Sequence, residues 1–125
     1  SILPVEVNHN EPSAGFIIRD ETGSILLTGD TADTVEIWDA AADVTQLRAV
    51  FVECAFPDGM AELAATARHL TPFGLKEEVA KLKGRDVPIY IVNIKPMFRE
   101  QVIAEIKALD LPDVFIFPIG RTISI

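Results

Sequence analysis

The feature that most constrains the fold is a set of short, almost wholly apolar runs separated by stretches of helical character. RAVFVECAF at 48–56, VPIYIVNIK at 87–95 and DVFIFPIG at 113–120 are runs of this kind. Strands of a parallel sheet are buried on both faces, so they are apolar along their length rather than at alternate positions. The three runs therefore predict central strands of an α/β layer structure.

A β-hairpin is predicted ahead of these central strands. GFIIRD at 15–20 and SILLTG at 24–29 flank DETG, a turn rich in Asp and Gly, and this pattern is typical of two antiparallel strands. RTISI at the C-terminus is predicted to be a further short strand that pairs back across Gly120.

Four stretches have the composition or spacing of helices, at 32–43, 59–68, 72–83 and 97–110. Thr71 and Pro72 form an N-cap and first-turn pair for the third helix, and Gly84 marks its end. No linker, repeat or low-complexity segment interrupts the chain. A single domain over residues 1–125 is therefore expected.

The composition excludes several classes of function. The chain has 125 residues, of which 49% are hydrophobic, and its one cysteine, Cys54, cannot form an internal disulfide. A lone cysteine in an apolar run is typical of a buried residue in a reducing compartment, so a cytoplasmic location is expected. No apolar stretch is long enough to span a membrane. The net charge of −8 argues against binding long nucleic acids, although a bound metal would still allow a small anionic substrate.

Polar side chains lie where the predicted strands end, at His9, Asp30, Glu53, His69, Asn93 and Lys95. Most have an ordinary explanation, such as a surface histidine or, for Asp30, the cap of a following helix. Glu53 lies in an apolar run, where a buried carboxylate is costly unless it is paired or ligated. Together these residues indicate a metal or acid/base site, although no compact H-x-H or C-x-x-C pair accompanies them.

Five segments resemble a known family in their order and spacing: VNHNEPSAGFIIRD, ILLTGDTAD, VFVECAFPD, RHLTPFGLKEEVAKL and VPIYIVNIKP. From about Val5 to Ile125, the chain resembles the second half of the metallo-β-lactamase superfamily, above all its class II cyclic-nucleotide phosphodiesterases. The resemblance implies half of a four-layer αββα sandwich, with a mixed sheet and helices on one face. It also implies a metal-dependent hydrolase of a cyclic nucleotide or similar small phosphodiester, acting through a hydroxide that bridges two metal ions.

The resemblance assigns roles to the strand-end residues. His9 matches a metal-binding histidine, and Asp30 matches the aspartate that bridges two ions. Glu53 matches an acidic residue that orients a histidine, and His69 matches that histidine, which meets the phosphate or protonates the leaving oxygen. Asn93 stands where the family usually has its last histidine ligand, so a weaker site or a preference for harder ions is expected. The implied cofactors are two divalent ions, zinc before manganese or iron.

The main ligand motif of the superfamily, H-x-H-x-D-H, does not occur in this chain, which has two histidines. The resemblance therefore implies that the N-terminal half of the fold, or a partner chain that carries the motif, supplies the remaining ligands. A homodimer is a separate expectation about the assembly. The start at Ser1 without methionine favours an absent N-terminal segment.

Three alternatives to a phosphodiesterase stay open. The first is a non-catalytic relative that serves as a binding or scaffold subunit. The second is a hydrolase of the same superfamily that acts on a thioester, a lactone or an RNA end. The third is a doubly wound α/β binding domain, which TGDTAD disfavours because it has only one of the glycines that a phosphate loop needs.

Overall fold

The computed structural model describes residues 1–125 and contains six strands and four α-helices. The strands are β1 (Ile2–Val7), β2 (Ser13–Asp20), β3 (Gly23–Leu27), β4 (Leu47–Glu53), β5 (Ile89–Val92) and β6 (Val114–Ile116). The helices are α1 (Glu36–Ala42), α2 (Ala61–Ala67), α3 (Pro72–Ala80) and α4 (Arg99–Ala108), and short 3-10 turns at Asp58–Met60 and Pro96–Phe98 lead into α2 and α4. None of these helices combines the length and the apolar character that crossing a membrane requires.

The six strands form one mixed sheet in the order β1 to β6. β1, β2 and β3 pair antiparallel, which confirms the predicted hairpin, and β3 to β6 pair parallel. Each parallel pair is joined by a connection that contains at least one helix. Because such crossovers are right-handed and the strand order runs in one direction, all of these helices lie on the same face of the sheet.

The hydrophobic core lies between the sheet and the helices. Alternate strand residues point into it, and the most buried of them are at most 4% exposed: Ile17, Leu26, Val50, Val52 and Ile91. Helices α1, α3 and α4 add residues to the same cluster, including Ile37, Leu75 and Val102. Thr71 caps α3 as predicted, since its side chain accepts a hydrogen bond from the Gly74 amide. The predicted architecture, a mixed sheet with helices on one face, is confirmed.

The other face of the sheet is apolar but is not covered by helices. We call it the open face and define it by Phe16, Leu27, Phe51, Tyr90, Phe115 and Phe117. Phe16 is 41% exposed and Phe115 is 49% exposed. The rings of Phe51 and Tyr90 stack with their centroids 5.3 Å apart. A large aromatic surface therefore faces outward.

One expectation about the chain ends is wrong, and one strand at the other end was missed. RTISI is not a strand, because the chain turns at Gly120 with φ of 70° and has no regular structure beyond it. β1 was not predicted, yet it pairs with β2 from Ile2 to Val7. Its pattern is obscured because Pro4 interrupts it and because Ile2 is 66% exposed. An edge strand tolerates proline, since one of its sides needs no hydrogen-bond partner.

Candidate active site

The polar residues predicted at strand ends converge at one edge of the sheet. Asp30 follows β3, Glu53 ends β4 and Asn93 follows β5, so the carboxyl ends of three parallel strands supply them. His9 follows β1, and His69 lies between α2 and α3. One ligand atom from each of His9, Asp30 and His69 lies within 4.8 Å of the other two. Asp30 is not a helix cap, because α1 begins after Val35.

His9 is oriented by a main-chain carbonyl. Its Nδ1 lies 2.9 Å from the Arg68 carbonyl oxygen, and because a carbonyl only accepts, Nδ1 carries the proton. Nε2 is therefore the ring nitrogen that is free to bind a metal. The preceding residue is anchored as well, since the Asn8 amide donates to Thr31 Oγ1 at 3.2 Å and its carbonyl accepts from Ala32 at 2.8 Å.

Glu53 is fully buried, and four donors satisfy its carboxylate. Oε1 accepts from the Thr31 amide at 3.1 Å and lies 2.7 Å from His69 Nδ1. Oε2 accepts from the amides of Ala55 at 2.9 Å and Leu70 at 3.3 Å. Burial raises the pKa of Glu53, and these hydrogen bonds oppose the rise. The cost of the buried carboxylate, which marked this residue in the sequence, is thus offset by a complete set of partners.

His69 is held by Glu53 and faces aromatic neighbours. Its hydrogen bond to Glu53 raises the pKa of the imidazole, against the opposing effect of burial. Since Nδ1 is engaged, Nε2 is the free ring nitrogen. The ring packs edge-on against His9 with centroids 5.0 Å apart and against Phe56 at 5.7 Å. The predicted Glu–His pair is therefore brought together.

Asp30 and Asn93 contact each other on the exposed side of the site. Gly29, with φ of 62°, turns the chain directly after β3 and so places Asp30 beyond the strand end. Asn93 is left-handed, with φ of 55°, and its amide nitrogen donates to Asp30 Oδ1. Asp30 Oδ2 and the Asn93 amide oxygen have no hydrogen-bond partner from this contact. Asn93 lies beside Asp30, and its predicted role as a metal ligand stays a prediction.

Two cations lie near this set of residues. The ammonium of Lys95 is 5.8 Å from the ring centroid of Phe56, and its charge opposes protonation of His69. Arg68 borders a cavity of about 510 Å³ next to His9. The remaining charged residues of that cavity are acidic: Glu6, Glu11, Asp33 and Glu36. Positive charge is thus concentrated at two points in an otherwise acidic surrounding.

The donor atoms fit one divalent ion. Two neutral imidazole nitrogens and one carboxylate oxygen are a ligand set that catalytic zinc sites use, with a further position left for water or substrate. His9 and His69 each have their other ring nitrogen bound to an oxygen, as the histidine ligands of metal sites almost always do. His9, Asp30 and His69 could therefore hold a metal ion.

Three residues that shape the site were not predicted from the sequence: Asn8, Thr31 and Arg68. Part of their contribution comes from main-chain groups, which are the same in every residue type, and their side-chain bonds join distant segments, so no sequence pattern marks them. Only the position of Arg68 in the sequence could have indicated it, because it precedes His69 at the expected end of a helix.

No protein-family model matches this chain, and no curated protein matches it. Among solved structures, it is similar to the metallo-β-lactamase fold protein YhfI from Bacillus subtilis, with 13% identity, a TM-score of 0.71, and coverage of 93% of this chain and 46% of that one. It is similar to unliganded yeast PDE1, with 21% identity, a TM-score of 0.68, and coverage of 92% and 42%. It is also similar to the short form of human tRNase Z, with 16% identity, a TM-score of 0.62, and coverage of 77% and 36%.

This chain spans less than half the length of each of these structures. The likenesses agree with the mixed sheet and its one-sided helices. The predicted fold is confirmed: the chain forms one half of a metallo-β-lactamase fold.

Proposed function

We propose that this chain is one half of a metal-dependent phosphodiesterase and supplies part of its metal centre. The observation that carries the proposal is the convergence of His9, Asp30 and His69, whose ligand atoms lie within 4.8 Å of one another. Glu53 supports it, because a fully buried carboxylate that holds an imidazole is a costly group. A carboxylate that binds one ring nitrogen in this way is typical of histidines whose other nitrogen must be oriented toward a metal or a substrate.

The metal ligands in this proposal are His9 Nε2 and Asp30 Oδ2, with Asn93 as an additional oxygen ligand. Asn93 donates its amide nitrogen to Asp30, which leaves its oxygen for an ion, although this is a poorer zinc ligand than imidazole. We assign two divalent ions, zinc ahead of manganese or iron. Their chemistry is Lewis-acid stabilisation of the negative charge on phosphoryl oxygens.

His69 is the proposed acid. Glu53 binds Nδ1 at 2.7 Å and so fixes the direction of Nε2, and this hydrogen bond raises the pKa of His69, in the direction that an acid requires. Nε2–H would donate its proton to the oxygen that leaves phosphorus. The competing role for His69 is that of a third metal ligand, and replacing His69 distinguishes the two roles. Loss of a ligand empties the metal site, whereas loss of an acid leaves the metal bound and slows the reaction.

The proposed substrate is a cyclic nucleotide or another small phosphodiester. A chain with a net charge of −8 repels a long polyanion, whereas Lys95, Arg68 and bound cations would attract a single phosphate. The likeness in fold to yeast PDE1 and human tRNase Z favours a phosphodiester over a thioester or lactone.

The open face is the proposed contact with the other half of the fold. It presents aromatic rings, among them Phe115 at 49% exposure, and exposed apolar patches of this kind mark interfaces. We assign to it a segment that carries H-x-H-x-D-H, in the same polypeptide or in a partner chain. Coverage of less than half of each similar structure supports this assignment.

The test is hydrolysis by the complete protein of a panel of cyclic nucleotides, bis(p-nitrophenyl) phosphate, a thioester and a lactone. Asp30→Ala is expected to abolish metal-dependent turnover and to lower metal content while the fold persists. Asp39→Ala, an exposed carboxylate on α1, is the matched control and should change neither. His69→Ala should slow turnover with metal still bound. Unchanged phosphodiester turnover by Asp30→Ala would refute the proposal.

One observation favours a second candidate, a non-catalytic relative that acts as a binding or scaffold subunit. Asn93 occupies the position of an expected histidine ligand and hydrogen-bonds Asp30, which is how a site that has lost its metal would be stabilised. Metal analysis of the complete protein separates the candidates. A metal content near one or two ions per chain supports the enzyme, and the absence of bound metal supports the non-catalytic subunit.

A further inference from the structure

Arg68 adopts a backbone conformation that is unfavourable for its residue type. It follows α2 with φ of 55° and ψ of 60°, in the left-handed region. Its amide donates to the Ala65 carbonyl at 3.3 Å, and the amide of His69 donates to Ala64 at 2.9 Å. These bonds are those of a Schellman cap, in which the left-handed position is usually glycine because a Cβ destabilises it.

Both the main chain and the side chain of Arg68 bind the loop that carries His9. The Arg68 carbonyl accepts the Nδ1 proton of His9 at 2.9 Å. The guanidinium donates through Nη1 to the His9 carbonyl at 3.0 Å and to Asn8 Oδ1 at 3.3 Å. One residue thus holds the imidazole of His9 and, separately, the backbone from which that imidazole projects.

The same loop completes the end of α2. Asn10 donates its side-chain amide to the Ala67 carbonyl at 3.1 Å, one position before the carbonyl that His9 uses. The last carbonyls of a helix have no partner within the helix. The loop therefore docks on the helix end through the side chains of His9 and Asn10, and the arginine side chain adds bonds in the opposite direction.

Arg68 also connects the two histidines, because it precedes His69 in the chain and forms hydrogen bonds with His9. It is the neighbour of His69 in the chain, and it binds His9, whose ring centroid is 5.0 Å from that of His69. The turn at Arg68 determines the position of His69 and the position at which the His9 loop docks. A change in this turn therefore alters the distance between the two imidazole rings.

From these contacts we infer that Arg68 is a positioning residue of the metal centre, whose guanidinium fixes the His9 loop so that Nε2 of His9 is held in place before metal binds. The inference rests on the metal-binding part of the proposed function and does not depend on the substrate. It also accounts for an arginine at a position where the backbone favours glycine.

The test uses Arg68→Gly in the complete protein. This variant keeps the left-handed turn and the carbonyl that binds His9, and it removes only the guanidinium bonds. Lys83→Gly is the matched control, because Lys83 is also left-handed, with φ of 53°, and lies outside the site. Arg68→Lys keeps the charge but not the geometry of two bonds from one planar group. Cobalt(II) binding is measured by calorimetry and by its visible absorption bands, and thermal unfolding is recorded alongside.

Arg68→Gly is expected to weaken cobalt binding by about tenfold, the size of effect that partners of metal ligands have, and to change the absorption bands. Its unfolding midpoint should not fall, since glycine suits the turn, and Lys83→Gly should match the wild type in metal affinity. Arg68→Lys should lie between. Wild-type cobalt affinity in Arg68→Gly overturns the inference, as does an equal loss in Lys83→Gly. Normal cobalt binding without phosphodiester hydrolysis would refute the proposed function alone, and no cobalt binding by the wild type would refute both.

Discussion

Replacing Glu53 by glutamine tests how the buried carboxylate supports both the fold and His69. The substitution preserves the size of the side chain but replaces one acceptor oxygen by an amide group that only donates. The glutamine oxygen can take the place of Glu53 Oε1 and accept from its donors. The glutamine nitrogen then faces the amides of Ala55 and Leu70, which lie 2.9 and 3.3 Å from Oε2 in the wild type. Only the Leu70 amide then loses its acceptor, because the Ala55 amide also donates to the Leu70 carbonyl at 3.1 Å.

The magnitude follows from that count. Leaving one buried donor without a partner costs about 1–3 kcal/mol, so the Leu70 amide predicts a loss of about 1–3 kcal/mol in the free energy of unfolding, measured by urea denaturation. Glu78→Gln is the matched control. Glu78 is equally buried and accepts from Thr34 and Trp38, but it does not contact His69. Both variants are expected to be destabilised.

Only Glu53→Gln is expected to lower the pKa of His69, followed by NMR titration of the metal-free protein. The hydrogen bond to Glu53 raises the pKa of His69 above 6.5, so the stability that this bond contributes is complete below pH 6.5 and is lost as the pH rises through the pKa of the folded state. Burial raises the pKa of Glu53 as well, and this shift also makes the free energy of unfolding fall as the pH rises. The free energy of unfolding of the wild type should therefore fall as the pH rises above 6.5, and Glu53→Gln should lack most of this fall. Wild-type stability in Glu53→Gln together with an unchanged titration of His69 would refute the reasoning.

Two further substitutions are predicted. Asn93→His should raise zinc affinity by about tenfold or more in calorimetry, because imidazole is a better zinc ligand than an amide and histidine tolerates the left-handed backbone at this position; equal or weaker binding would contradict Asn93 as a ligand position. Gly15→Ala should lower the free energy of unfolding by about 1–3 kcal/mol or more, because a Cβ there would lie 2.4 Å from Ile37 Cδ1 and 2.6 Å from the Leu27 carbonyl oxygen. Gly59→Ala, where a Cβ meets nothing within 4 Å, is its control in the same urea experiment.

The parts of the fold that follow from local patterns were predictable. The hairpin turn is marked by its residues, and Asp20 Oδ1 indeed accepts from the Thr22 amide at 2.7 Å. The central strands are marked by their continuous apolar runs, but the expectation that they are buried on both faces is wrong: Val50 and Ile91 are buried against the helices, whereas alternate residues lie on the open face. β1 escaped prediction because an exposed edge strand keeps neither pattern: Ile2 and Leu3 face solvent at 66% and 53% exposure.

The site was predictable to the extent that its side chains have distinctive chemistry. A carboxylate within an apolar run marked Glu53, because its burial required a partner, and His69 is that partner at 2.7 Å. The contact of His9 with the Arg68 carbonyl joins residues 59 positions apart. Such a contact depends on how α2 ends and how the loop docks, and neither is encoded in the residue types of the loop itself.

The central claim is that His9 and Asp30 bind a metal ion at the end of the sheet. The most direct measurement is anomalous X-ray scattering at the zinc edge from crystals of the complete protein grown with zinc. The account predicts a peak within bonding distance of His9 Nε2 and Asp30 Oδ2. It is contradicted if zinc-grown crystals show no peak there, or if Asp30 points into solvent away from both imidazoles.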